Sequence, residues 1–251
     1  MALTEIVKHA AKPVTKQAVI ASPGKQIDEA SQGIDMVRKT KEEAQETYSA
    51  LLDAAEQVFS QKGVTNTTLN DVAIAAGMTR GAIYWHFKDK NALVQAMCDR
   101  AFLPMEALLN EIIETPDKDP ISALKQLDIH FLQLVSGDKR QRKVFDIIFH
   151  RCEKNPDLPF FENEKRQRAE CMAKVEAIIK SAVTQGKLHP DTDTWIAMQA
   201  NHAFLVGIVH EWLEDTSAYC MIAHAESMID MFLAGLLSCP PLKKPMPVAS
   251  N

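Results

Sequence analysis

The sequence is short of the residues that build β structure and tight turns: it has nine glycines, and aromatics make up 6% of its 251 residues. Sandwiches and barrels need frequent turns and many β-formers, so this composition argues against them. Its five cysteines (Cys98, Cys152, Cys171, Cys220, Cys239) are odd in number, scattered, and without a CxxC pair. Neither a zinc ribbon nor a disulfide framework is supported. No apolar run approaches the roughly 20 residues of a membrane span. The mixed start Met1-Ala-Leu-Thr-Glu-Ile-Val-Lys lacks the apolar core of a signal peptide. The expectation is a soluble, reduced, cytoplasmic protein with no membrane partner. Catalytic signatures are missing as well: no G-x-S-x-G, P-loop or G-x-G-x-x-G occurs. A di-iron helical bundle needs Glu-x-x-His pairs, and the residue three before each of the eight histidines is never acidic. His150 with Cys152, and His202 with His210, are too sparse for a metal. No cofactor or metal is expected, and an all-α enzyme is a distant alternative.

The chain carries 28 Lys+Arg against 33 Asp+Glu, a formal charge of −5. That total argues against nucleic acid only as an average. Residues 1–35 hold four charges of each sign and residues 36–100 hold eight of each, so the acidic excess lies wholly in residues 101–251. Within residues 79–90, Arg80, Lys88 and Lys90 face Asp89 alone.

Residues 1–35 contain Pro13, Pro23, Gly24 and Gly33 without a sustained period, and are expected to form a flexible extension. From Met36 the pattern is helical. Thr40 and Glu43 read as a capping box, Leu51, Leu52, Ala55, Val58 and Phe59 recur at three and four, and Gly63 closes the helix. A short helix capped by Thr68 ends at Gly77, and Thr79 caps another through Phe87. Asp89 caps a longer helix that Pro104 should kink or divide. Helical periodicity continues over about 121–136, 138–154, 160–186, 192–214 and 217–238, with a loose tail from residue 240. No segment alternates with period two, so the fold class is all-α, with nine or ten helices.

The informative stretch runs from Thr68 to Lys90, TLNDVAIAAGMTRGAIYWHFKDK. Two short helices meet at Ala76-Gly77-Met78, where glycine supplies the left-handed conformation of a helix-turn-helix. Ile83 and Phe87 share the face that packs on Leu69, Val72 and Val58, while Arg80 and Tyr84 project from another. Gly81 costs about 1 kcal/mol in a helix interior relative to alanine, and close approach of another backbone, such as a DNA strand, is one reason for it. Arg80 suits guanine O6 and N7 in a major groove. Thr68 and Thr79 cap helices whose N–H groups can meet phosphate, and Tyr84, His86 and Lys90 are further phosphate donors. By spacing alone, plain packing of the same rings remains an alternative.

Arg38-Lys39-Thr40-Lys41, Leu52-Asp53-Ala54-Ala55, Thr67-Thr68-Leu69, Ala76-Gly77 and Thr79-Arg80-Gly81-Ala82-Ile83-Tyr84-Trp85-His86-Phe87 closely resemble the DNA-binding domain of TetR-type transcriptional regulators. AcrR-like repressors of multidrug efflux pumps are the nearest match. The resemblance is dense over about residues 36–100, and looser at Phe149-His150-Arg151-Cys152-Glu153 and Gly207-Ile208-Val209-His210-Glu211-Trp212-Leu213. Residues 1–35 have no counterpart in the pattern, which marks Met36 as a candidate translation start. The resemblance implies an extension at 1–35, a three-helix DNA-binding domain over 36–91, a ligand-binding and dimerisation domain over 92–239, and a tail at 240–251. It implies a homodimer released from a palindromic double-stranded operator by hydrophobic ligands, probing DNA with Thr68, Thr79, Arg80, Gly81, Tyr84, Trp85, His86 and Lys90. A regulator of metabolic or biosynthetic genes is the alternative within the class.

In the C-terminal part, Trp195, Met198, His202, Leu205, Val209 and Trp212 recur at three and four, as do Ile222, Ala225, Ile229, Phe232, Leu233 and Leu236. Two such helices suit either a monomer core or a four-helix dimer interface, and the resemblance favours the dimer. A surplus of soft side chains marks Phe145, Phe149, Cys171, Val175, His202 and Leu205 as the candidate ligand pocket. Pro104 is the expected point of transmission.

Overall fold

A computed structural model describes residues 27–115, 119–152 and 159–244, with side chains left out over 27–40 and 159–164. The extension at residues 1–26 and the end of the tail from 245 lie outside the described residues. The chain divides into one unit of residues 1–45 and another of 46–251, and the functional residues all belong to the second.

Nine α-helices run through the described residues: α1 Ile27–Lys62, α2 Leu69–Ala75, α3 Arg80–His86, α4 Lys90–Glu114, α5 Pro120–Gly137, α6 Lys139–Asp146, α7 Pro159–Thr184, α8 Thr194–Glu214 and α9 Met221–Ser238. No strand occurs among those residues; one isolated bridge joins Thr192 to Leu242. The caps explain most boundaries. Thr68, Thr79 and Asp89 each accept a bond from the backbone N–H three residues on. Gly63 and Gly77, with φ of +77° and +67°, make the left-handed turns after α1 and α2.

Four expectations need correction. Helix α1 begins at Ile27 rather than near Met36, so Thr40 and Glu43 lie inside it and do not mark its start. Gly33, expected to lie in a flexible extension, is an interior glycine of that helix. Pro104 does not divide α4, which is one helix through Glu114. The segment read as a single helix over 138–154 is α6 followed by a π-helical turn, Ile147–Arg151.

Two apolar clusters form. The first holds Leu51, Leu52, Val58 and Phe59 of α1, Leu69 and Val72 of α2, Ile83, Phe87, and the first three turns of α4, closed by Val144 and Ile147. The second joins Leu109 and Ile112 of α4 to α5, α7, α8 and α9. Thus α6 and the π-helical turn sit between them: Val144 of α6 and Ile147 of the turn enter the first cluster, and Phe145 of α6 enters the second. An ionic junction fastens the same place. Arg140 at the start of α6 bonds Asp53 Oδ1 at 2.8 Å and Glu56 Oε1 at 3.1 Å. Arg100 of α4 reaches the same Asp53 and Glu56. Glu56 is buried, and desolvation holds its carboxyl above the usual range even though Arg140 opposes the shift.

Helix α9 is long and apolar enough to suit a bilayer by composition, with a mean hydropathy of 1.2. Its contacts belong to a packed helix instead: Ala225, Ile229, Leu233 and Leu236 enter the second cluster, while Glu226 and Asp230 bond Lys125 of α5.

Candidate nucleic-acid interface

Helix α3 is two turns long, Arg80–His86, and Phe87, expected as its last residue, leaves the helix at φ −130° as its C-cap. Its inner face is as expected. Ile83 is fully buried and Phe87 nearly so, both in one cluster with Val58, Leu69 and Val72. Burying those two side chains contributes about 1.5–3 kcal/mol each, which fixes the rotation of the helix about its axis. Rotation in turn fixes what faces outward.

The outward residues are Arg80, Gly81, Tyr84 and Trp85. Trp85 is 73% exposed and Tyr84 48% exposed. The Arg80 guanidinium lies over the Tyr84 ring, 5.4 Å from its centroid, a pairing that holds the fork partly ordered. A tryptophan this exposed contributes nothing to the core and keeps a large unsatisfied apolar surface. Gly81 has no internal reason to be glycine. A Cβ built there meets only Thr79 Oγ1, at an ordinary 3.8 Å.

The remaining expected residues divide. Thr68 and Thr79 are both exposed caps. Around Thr68 the capping box is complete: its hydroxyl donates to Asp71 Oδ2 at 2.7 Å, its N–H donates to the same oxygen at 2.8 Å, and Oγ1 accepts from Asp71 N–H at 3.1 Å. These bonds, with Lys62, hold the Asp71 carboxyl down at about 2. Thr79 Oγ1 accepts from the Ala82 N–H at 3.2 Å. His86 is half-buried, edge-on to Trp85 and near Tyr48. Desolvation lowers its pKa, so it is a neutral donor at physiological pH.

Lys90 is turned inward, contrary to the expectation that it donates to phosphate. Its ammonium donates to the carbonyls of Val64, Thr65 and Thr67 at 2.8, 3.0 and 3.0 Å. All three of its N–H donors bind the α1–α2 turn. Tyr48, which the sequence reading did not single out, stacks on Phe87 at 5.1 Å and backs His86. Its place on α1, one turn ahead of Leu51 and Leu52, is the signal that could have found it.

The six candidate pocket residues gather around the second cluster. Phe145 and Val175 are buried in it; Phe149, Cys171 and Leu205 pack against it, and His202 is half-buried. Phe145 is the hub, edge-on to Phe102 and Phe131 and stacked on Phe149 at 6.3 Å. Between α5 and α8 lies a polar pair that helical spacing alone does not reveal. Asp128 accepts from Asn201 Nδ2 at 3.1 Å, both are buried, and desolvation pushes the Asp128 carboxyl up to about 7.

The repeating apolar positions of α8 and α9 serve mainly the core within the chain: Met198, Val209, Trp212, Ala225, Ile229, Leu233 and Leu236 are buried. Two members of the repeating set face out, Trp195 at 54% and Ile222 at 50% exposed, and so does Met231 from outside the set, at 65%. The histidine pairing also differs. His150 meets His210 rather than Cys152, with Nε2 2.9 Å from His210 Nδ1, and Glu214 joins them.

Comparison with known proteins agrees with this geometry. The family described as "Bacterial regulatory proteins, tetR family" matches residues 51–97, and "MAATS-type transcriptional repressor, C-terminal region" matches residues 119–238. The HTH-type transcriptional regulator AcrR of Shigella flexneri is 34% identical over 211 residues, covering 84% of this chain and 98% of the relative. The structure of NalD, the secondary repressor of the MexAB-OprM multidrug efflux pump in Pseudomonas aeruginosa, superposes with a TM-score of 0.70 at 31% identity, over 76% of this chain and 97% of that one. SmeT, the repressor of the Stenotrophomonas maltophilia multidrug efflux pump SmeDEF, has been solved with triclosan; that complex superposes with a TM-score of 0.66 at 29% identity, over 80% of this chain and 99% of that one. This chain belongs to the TetR family of bacterial transcriptional regulators.

Proposed function

We propose that the protein is a homodimeric repressor of a multidrug efflux operon, released from a palindromic operator by hydrophobic ligands. The observation that carries the reading is the outer face of α3: Arg80, Tyr84 and a 73% exposed Trp85, beside a glycine that nothing inside the chain requires. Arg80 reads base edges as a bidentate donor. Thr79, Tyr84 and Trp85 meet the backbone, Thr68 and His86 frame the contact, and Gly81 lets the strand approach. Lys90 holds the α1–α2 turn on α4 and so positions α2 and α3 without touching phosphate.

The dimer forms through the exposed apolar residues of α8 and α9, among them Trp195, Ile196, Ile222, Met231 and Leu237. Ligands enter the second cluster beside Phe145, Phe149, Cys171, Val175, His202 and Leu205. A ligand that displaces Phe145 acts on α6 and the π-helical turn after it, whose Val144 and Ile147 close the core under the DNA-binding helices. Displacement is thus relayed through α6 and its Arg140–Asp53–Glu56 junction rather than through a break at Pro104. Reciprocal linkage then lowers operator affinity by the same factor by which DNA lowers ligand affinity, with about 1–3 kcal/mol of coupling typical. A mobility shift on the DNA upstream of its own gene and its neighbour tests the reading. A retarded band released by hydrophobic drugs is expected; no band at low salt refutes it, since nonspecific binding alone appears there.

A further inference from the structure

Two i, i+4 pairs meet where the π-helical turn faces the end of α8. Asp146 and His150 lie on one side, His210 and Glu214 on the other. His150 Nε2 is 2.9 Å from His210 Nδ1 and 3.1 Å from Glu214 Oε1. One ligand atom from each of His150, His210 and Glu214 falls within 4.8 Å of the others. Behind them Asp146 is shared: Oδ1 accepts from His150 Nδ1 at 3.0 Å, and Oδ2 accepts from Arg151 Nε at 3.1 Å.

That backing decides the chemistry of the cluster. With the His150 proton on Nδ1, directed at Asp146, the lone pair of Nε2 points at a carboxylate oxygen and a second imidazole. His210 Nδ1–H is then one donor for two acceptors. With the His210 proton on Nε2 instead, His210 Nδ1, His150 Nε2 and a Glu214 carboxylate oxygen each turn a lone pair toward the space between them. We propose that His150, His210 and Glu214 form a binding site for a zinc-class divalent cation, with Asp146 orienting His150.

The ligand set fits that class. Two imidazole nitrogens and one carboxylate, with a fourth position for water, suit zinc, whereas calcium and magnesium take oxygen ligands. A histidine ligand whose other nitrogen donates to a carboxylate is the usual outer arrangement of such sites. Tetrahedral zinc with Zn–N bonds of about 2.0–2.1 Å separates two nitrogens by roughly 3.3 Å. The 2.9 Å found here therefore needs to open by only about 0.4 Å on binding. Glu214, 65% exposed at the end of α8, is free to close on the ion. A concavity of about 220 Å³, lined by Gly63, Asn66, His150 and Arg151 among others, borders the cluster on its His150 side.

The position has a consequence for the fold. The Arg151 carbonyl accepts from Val64 N–H at 3.0 Å, and Ile147 of the same turn is buried in the first cluster. A bound cation would tie the end of α8 to the turn that borders the α1–α2 loop. Single π-helical turns often mark such functional points. The site stands on these residues whether or not the chain controls an efflux operon.

The test is a titration of the chelator-stripped full chain with Zn²⁺ by calorimetry, with Co²⁺ as a spectroscopic reporter. One Zn²⁺ per chain is expected, with no binding of Mg²⁺ and with Co²⁺ bands free of sulfur charge transfer. Asp146→Asn should weaken Zn²⁺ binding about 10–100-fold, and His210→Ala at least as much. Zn²⁺ should raise Tm in the parent chain and not in His210→Ala, whose circular dichroism spectrum should match the parent because His210 is exposed. Absence of saturable Zn²⁺ binding overturns the proposal. So does equally tight binding by His210→Ala, or a thiolate band that places the ion on the cysteines.

Discussion

Replacing Lys90 by methionine separates two roles for its ammonium. The methionine keeps an unbranched apolar stem and removes three charge-assisted bonds, of 2.8, 3.0 and 3.0 Å, to Val64, Thr65 and Thr67 carbonyls. Charged hydrogen bonds are worth about 1.5–3 kcal/mol each when their partner is left buried. Here the Thr65 carbonyl is exposed and the other two are part-buried, so water recovers much of the loss. About 1 kcal/mol per bond, roughly 3 kcal/mol in all, is the reasonable cost. For a domain of this size that lowers Tm by about 6–12 °C. Operator affinity, measured well below Tm over a range of salt, should keep its slope. A lysine on a phosphate would instead remove about 0.9 from the slope of log K against log salt. Thermal melts and fluorescence anisotropy therefore decide the matter. An unchanged Tm with a slope reduced by about one would refute the bracing role.

Other predictions bear on separate parts of the account. Gly81→Ala should leave Tm unchanged or raise it by the equivalent of up to about 1 kcal/mol, since its Cβ meets nothing closer than 3.8 Å, yet weaken operator binding in anisotropy. Thr68→Ala should cost about 1 kcal/mol through loss of the α2 cap, read from the urea midpoint. Asp128 supplies a pH signature. Its carboxyl is raised to about 7, so its protonated form favours the folded state. That contribution is complete below the unfolded carboxylate value and is lost as pH rises through the folded one, at roughly 1 kcal/mol per unit between about pH 4 and 7. Asp128→Asn should abolish the decline and be more stable than the parent at pH 8; parallel urea profiles for the two would count against it.

Helix-turn-helix architecture was legible because its signals are local. Thr68, Gly77, Thr79 and Asp89 act within four residues, and the inward pair Ile83–Phe87 follows from helical spacing alone. Helices α5 and α7–α9 were legible for the same reason, through periodicity between prolines and glycines. What escaped depends on partners far away in sequence. Lys90 looks like any surface lysine until the α1–α2 turn brings three carbonyls to it. His150 and His210 lie 60 residues apart, and a search for acids three before each histidine passes over His210-x-x-x-Glu214 and Asp146-x-x-x-His150. In α8, period alone could not tell which apolar residues face the protomer core, since both sides of the helix are apolar. The π turn has no pattern of its own.

The central claim is that the outer face of α3 reads operator sequence, and Arg80→Ala tests it most directly. Anisotropy should be measured on the upstream operator and on a random duplex of equal length at the same salt. The variant should lose about 1–3 kcal/mol on the operator, roughly 5–150-fold in Kd, with a far smaller change on random DNA. An equal loss on both duplexes, or none on the operator, would contradict base reading by Arg80.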